Sequence, residues 1–113
     1  MDAHDPRRYW LGRTAVVSAS GALDLLTSPR LEQLLADTLK QTPTGLIVDL
    51  TEVDFLSSAG MQALVNVHAA ATPDVGFVVV AEGRSTARPL ALVGLTEVFD
   101  VVATLQDAVD RVS

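Results

Sequence analysis

Ser57 and Ser58 stand side by side in the octet Asp54-Phe55-Leu56-Ser57-Ser58-Ala59-Gly60-Met61. An apolar run precedes the octet and residues at helical spacing follow it, so two hydroxyls fall where a buried strand gives way to a helix. The first N–H groups of a helix have no intrahelical partner and its dipole is positive there, so a hydroxyl oxygen or a phosphate is favourably held. Such a spot suits a switchable anion. It also suits a plain N-cap, a common use of serine at a helix start.

Other chemistries fit less well. A hydrolase nucleophile at Ser57 or Ser58 lacks the glycines of a G-x-S-x-G elbow, and 113 residues is short for a triad with its oxyanion loop. Neither G-x-x-x-x-G-K-[ST] nor G-x-G-x-x-G occurs, so no nucleotide site follows from motif. With no cysteine and only His4 and His68, far apart in the chain, neither a disulfide framework nor a metal site is expected. His68 shares a helical face with Met61, Leu64 and Val65 and reads as a packed or edge residue. Asp24 and Asp54 sit near strand ends, where either can cap a turn or a helix; for Asp24 a place at an interface is equally open. Met61 reads as a core residue with an edge available to a partner.

The elements that must position the octet come from one domain, 1–113, with 1–7 as a flexible N-terminal tail. Apolar residues make up 49% of the chain and charged ones 19%, a globular composition, and aromatics are only 4%, so the core is aliphatic. The formal charge of −6, with no Lys/Arg run longer than Arg7-Arg8, argues against nucleic acid as a partner. The polar start of the chain lacks the apolar core of a signal peptide, and no later run approaches a membrane span. A cytoplasmic protein without direct membrane insertion is the expectation.

Tyr9–Leu11 and Thr14–Ala19 read as antiparallel strands joined by a turn at Gly12-Arg13. Ser28-Pro29 reads as an N-cap followed by proline at the first helical position, and Leu31, Leu34, Leu35 and Leu39 extend that helix to about Lys40. Leu46–Leu50 is a short apolar run of the kind buried on both faces, hence a central strand. A helix over Ser58–Ala71, a strand over Phe77–Ala81, and a helix capped by Ser85 or Thr86 and stopped at Gly94 follow. Val98–Val102 and Leu105–Val112 close the chain as strand and helix. The pattern predicts an α/β domain: an N-terminal antiparallel hairpin, then alternating helices and strands in a mixed sheet with packed helices.

The stretch Gly45–Met61 resembles the signature of STAS domains, specifically bacterial anti-sigma factor antagonists: an apolar strand ending in Asp-Leu, a phenylalanine, then Ser-Ser-Ala-Gly and an apolar residue. Ser20-Gly21-Ala22-Leu23-Asp24 resembles the family's Gly-Glu-Leu-Asp element, and Ala91–Phe99 resembles its helix, Gly-Leu and aromatic close. Three motifs in order carry the likeness over nearly the whole chain.

The resemblance implies a STAS fold and a partner-switching module, not an enzyme, with no cofactor. The unphosphorylated antagonist binds an anti-sigma factor that is also a serine kinase and so frees the sigma factor. Phosphorylation then breaks the complex and a serine phosphatase resets it. Carried onto this sequence, the acceptor is Ser58, with Ser57 as second choice, and the contact rim is Asp24, Ser57, Ser58, Ala59, Gly60 and Met61. Two departures stand out: Ser57 where many members have aspartate, and Ala22 where they have glutamate. Fewer acidic groups at a kinase docking surface bear on which kinase recognises the chain. The alternative implied by resemblance is a standalone STAS subunit bracing the ATPase of a lipid-type ABC transporter.

Overall fold

The first two strands form a hairpin. Strand β1 (Arg7–Leu11) pairs antiparallel with β2 (Thr14–Leu23), Leu11 facing Thr14 across the two-residue turn. Gly12 has φ +61 and Arg13 is not left-handed, the pattern of a type II′ turn, whose twist matches that of the strands it joins. This computed structural model describes residues 5–112.

Three further strands, β3 (Gly45–Leu56), β4 (Gly76–Val80) and β5 (Asp100–Val102), run parallel to β2 and complete a five-stranded sheet in the order β1-β2-β3-β4-β5. Helices α1 (Ser28–Leu39), α2 (Ser58–Ala71) and α3 (Ala87–Leu92) lie in the successive crossovers, α3 running on into a 3-10 turn at Leu95–Glu97. Each crossover steps the sheet in the same direction, so right-handed connections place all three helices on one face. Helix α4 (Leu105–Val112) is left to cover the other.

Strand alternation divides the core accordingly. Ala15, Val17, Leu46, Val48, Leu50 and Val79 pack with Leu31, Leu35, Leu64, Val67 and Leu90 of the three-helix layer. Val16, Ile47, Val78 and Val80 point the opposite way onto Ala108. Strand β3 is central and buried on both faces in its first half, as its apolar run predicts.

Several element limits differ from the sequence reading. β3 runs to Leu56 because Thr51–Asp54, too polar to read as strand, continues to pair with β2 through two register shifts, between Ser18 and Ser20 and between Gly21 and Ala22. Gly21 takes φ +71 there, a backbone that glycine adopts without penalty. The α1 cap moves back one residue: Thr27 is the N-cap and Ser28 is already helical and buried, its hydroxyl without a hydrogen-bond partner among the described residues. Of the expected tail 1–7, Arg7 opposes Ser18 in the ladder and Asp5 pairs with Arg30 at 2.7 Å; its first four residues lie outside the described ones.

Candidate functional site

β3 delivers the chain to α2 at Ser57. Its backbone is extended, φ −83 and ψ 172, the ordinary N-cap geometry, and its Oγ accepts from the Gly60 N–H at 3.3 Å. The same hydroxyl donates to the Leu23 carbonyl at 2.6 Å, and the Ser57 N–H donates to that carbonyl at 2.9 Å. Ser57 thus ties the start of α2 to the end of β2. Its proton is engaged, so its geometry is that of a structural cap.

Ser58 is different. It is the first residue of α2, its side chain is exposed, and among the described residues no hydrogen bond claims its hydroxyl. It stands at the positive end of a 14-residue helix. An added phosphate there would meet the helix dipole and solvent without disturbing the fold.

The turn after β2 is brought beside this helix start. Asp24 Oδ1 accepts from the N–H groups of Leu26 at 2.9 Å and Thr27 at 3.0 Å. Thr27 Oγ1 donates to the Ala22 carbonyl at 2.6 Å and accepts from the Asp24 N–H at 2.9 Å. These bonds to the Asp24 carboxylate, first those from Thr27 and then that from Leu26, hold its pKa below the ordinary value by favouring the charged form. Asp24 therefore has a structural role, with its side chain only partly accessible.

That rigid turn holds two leucines outward. Leu25 is 79% exposed and Leu26 82%, while Phe55, next to Leu56 in β3 and opposite Ala22 of β2, is 54% exposed. None of the three is among the contact residues expected from the sequence. The signal was present: two leucines between Asp24 and Ser28-Pro29 have no strand or helix to bury them.

The other expected rim residues divide. Ala59 and Met61 are partly exposed, Met61 also packing against the helical-layer core. Gly60 is buried, and a Cβ on it would lie 2.8 Å from Leu56 Cδ1, 3.0 Å from Leu23 Cβ and 3.2 Å from the Leu23 carbonyl. Glycine is required there so that α2 can approach β2 closely. Asp54 is exposed on β3 and does not cap α2, a task Ser57 performs. His68 packs between Phe77 and Phe99, ring centroids 5.5 and 5.8 Å away, as a packing residue of the α2 face. An open concavity of about 730 Å³ lies between Asp5-Pro6 and α1 and includes none of the octet. Among the described residues no cluster of three or more His, Asp or Glu is placed to hold a metal ion, and no helix is long and apolar enough to cross a membrane.

Residues 7–108 match the STAS domain family model. The chain is 39% identical over 98 residues to the anti-sigma-F factor antagonist RsfB of Mycobacterium tuberculosis, a match covering 87% of this chain and 80% of that one. It superposes with a TM-score of 0.91 on the crystal structure of an anti-sigma factor antagonist from Mycobacterium paratuberculosis, at 36% identity, over 95% of this chain and 92% of the other. The fold also matches the anti-sigma factor antagonist SpoIIAA in its unphosphorylated form, with a TM-score of 0.76 at 19% identity, over 95% of each chain. A hairpin-led mixed sheet, three helices on one face and a serine-bearing α2 start accord with these matches, and the chain belongs to the STAS domain family.

Proposed function

We propose that this protein is a cytoplasmic, non-catalytic anti-sigma factor antagonist. Its unphosphorylated form binds an anti-sigma factor with serine kinase activity and frees the sigma factor; phosphate on Ser58 ends the complex, and a serine phosphatase restores it. The observation that carries this reading is the division of labour between the paired serines: Ser57 spends its hydroxyl on Leu23 and Gly60, and Ser58 presents its own to solvent. Relatives named as antagonists of an anti-sigma factor support the partner class.

The exposed side chains around Ser58 support one contact surface. Ser58, Ala59 and the exposed edge of Met61 form its centre, and the Leu25-Leu26 turn and Phe55 supply the apolar area that a partner would cover. Phosphate adds about −1.5 to −2 charges. The isolated domain tolerates them at the helix start, but a partner packed over Ser58 would bury them unpaired, costing several kcal/mol, equivalent to an affinity loss of more than about a hundredfold. The test is binding of wild type, Ser58→Ala and Ser58→Asp to the candidate anti-sigma kinase by calorimetry. Ser58→Ala is expected to bind as wild type does and Ser58→Asp to fail; equal affinity for all three would exclude a charge switch at this residue. Mass spectrometry after incubation with kinase and ATP locates the modified serine.

A further inference from the structure

β1 is an edge of the sheet, and its five residues are all exposed. In a chain with one tryptophan and one tyrosine, both stand here, Tyr9 at 40% and Trp10 at 38% exposure, followed by Leu11 at 43%. The type II′ turn fixes which backbone groups are used inward. Leu11 and Thr14 flank the turn as a hydrogen-bonded pair, so Leu11, Tyr9 and Arg7 bond to β2. The N–H and C=O groups of Arg8 and Trp10 therefore point away from the sheet. Among the described residues no backbone bond takes them up, and an edge of this kind templates further strand addition.

We propose that β1 is the interface for a second copy of this chain, joined antiparallel about a two-fold axis at Tyr9. In that register Arg8 opposes Trp10 of the other copy, and the four outward groups of each strand find partners. The side-chain chemistry is self-complementary. Arg8 and Trp10 share the α1 face, since they oppose Val17 and Ala15; the Arg8 guanidinium, which donates to Thr38 Oγ1 at 3.5 Å, lies where the indole of the other copy would fall and can stack on it. Arg7 falls opposite Leu11, and Tyr9 meets Tyr9. The two arginines of each strand thus land on the uncharged half of its neighbour. Parallel pairing would instead set arginine against arginine. The chain's net charge of −6 opposes association at long range, so the contact is weak and tightens with added salt.

The chain has no cysteine, so one introduced at a time reports the register. At Tyr9 the Cα atoms of the two copies would stand about 4.5 Å apart, as in a non-hydrogen-bonded antiparallel pair, within the range a disulfide spans. At Leu11 they would be offset by four residues, about 13 Å. Mild oxidation of Tyr9→Cys is expected to give a disulfide-linked dimer at least tenfold faster than oxidation of Leu11→Cys. In wild type, sedimentation equilibrium is expected to show mass rising from one chain toward two with concentration, with Trp10 emission shifting to the blue. Trp10→Lys, which sets an ammonium against Arg8, is expected to abolish both changes. A single-chain mass at all concentrations, equal cross-linking at residues 9 and 11, or an unchanged dimer in Trp10→Lys would each overturn the proposal.

Discussion

Gly60→Ala reverses the usual sign of a helix substitution. In an exposed helix interior, alanine is better than glycine by about 0.8–1 kcal/mol. At Gly60 the added Cβ meets three groups in the same small space. Leu56 Cδ1 at 2.8 Å is the far end of a side chain and can rotate away. Leu23 Cβ at 3.0 Å and the Leu23 carbonyl at 3.2 Å belong to the strand end that Ser57 grips, so they yield only if α2 moves. Overpacking of this kind costs about 1–3 kcal/mol. Subtracting the propensity gain leaves a net destabilisation of about 1 kcal/mol, with a displacement of the Ser57–Gly60 cap. Urea unfolding followed by circular dichroism is the assay, read as a lowered midpoint at unchanged slope. Ala69→Gly, at an exposed site on the same helix, supplies the propensity scale and should lose about 1 kcal/mol. If Gly60→Ala matched or exceeded wild-type stability, the close approach of α2 to Leu23 would not be what the glycine serves.

Ser57→Ala removes both the N-cap and one of two bonds to the Leu23 carbonyl, and should lower stability by about 1–2 kcal/mol in the same assay while leaving Ser58 open to the kinase. Ser28→Ala deletes a buried hydroxyl that has no partner among the described residues and improves helix propensity, so the thermal midpoint should rise by a few degrees, for a gain of about 1 kcal/mol. Leu26→Ala should leave unfolding unchanged, because the side chain is exposed, and weaken anti-sigma factor binding about tenfold or more, measured by calorimetry. Asp24 has a folded pKa below its unfolded one, so its contribution is present above the unfolded value and lost as pH falls through the folded value. Asp24→Asn should therefore flatten the acid limb of the stability profile below about pH 4, and an unaltered profile would count against the turn network.

Much of the fold was legible where periodicity was strong. The leucines of α1, the apolar first half of β3 and the full extent of α2 and α4 follow from spacing alone. The second half of β3 was not, because Thr51–Asp54 gains its strand character from pairing with β2, where Glu52 and Val53 face Ser20 and Gly21, 32 residues earlier. The α1 cap shifted for a related reason: Thr27 is held by the Asp24 turn, while Ser28 is drawn into the core.

The sequence by itself determined that two serines occupy a strand-to-helix junction and that the motifs around them are those of a STAS antagonist. Only the tertiary structure separated the two hydroxyls. The Leu23 carbonyl that takes the Ser57 proton lies 34 residues away in the chain, at the end of a neighbouring strand. It reaches Ser57 because β2 and β3 pair in parallel and their ends come level. The same alignment buries Gly60 against Leu23 and turns Leu25 and Leu26 outward beside Ser58. Spacing along a chain reports which face a residue takes within one element. Which hydroxyl is bound and which is free depends on atoms that only the sheet brings together.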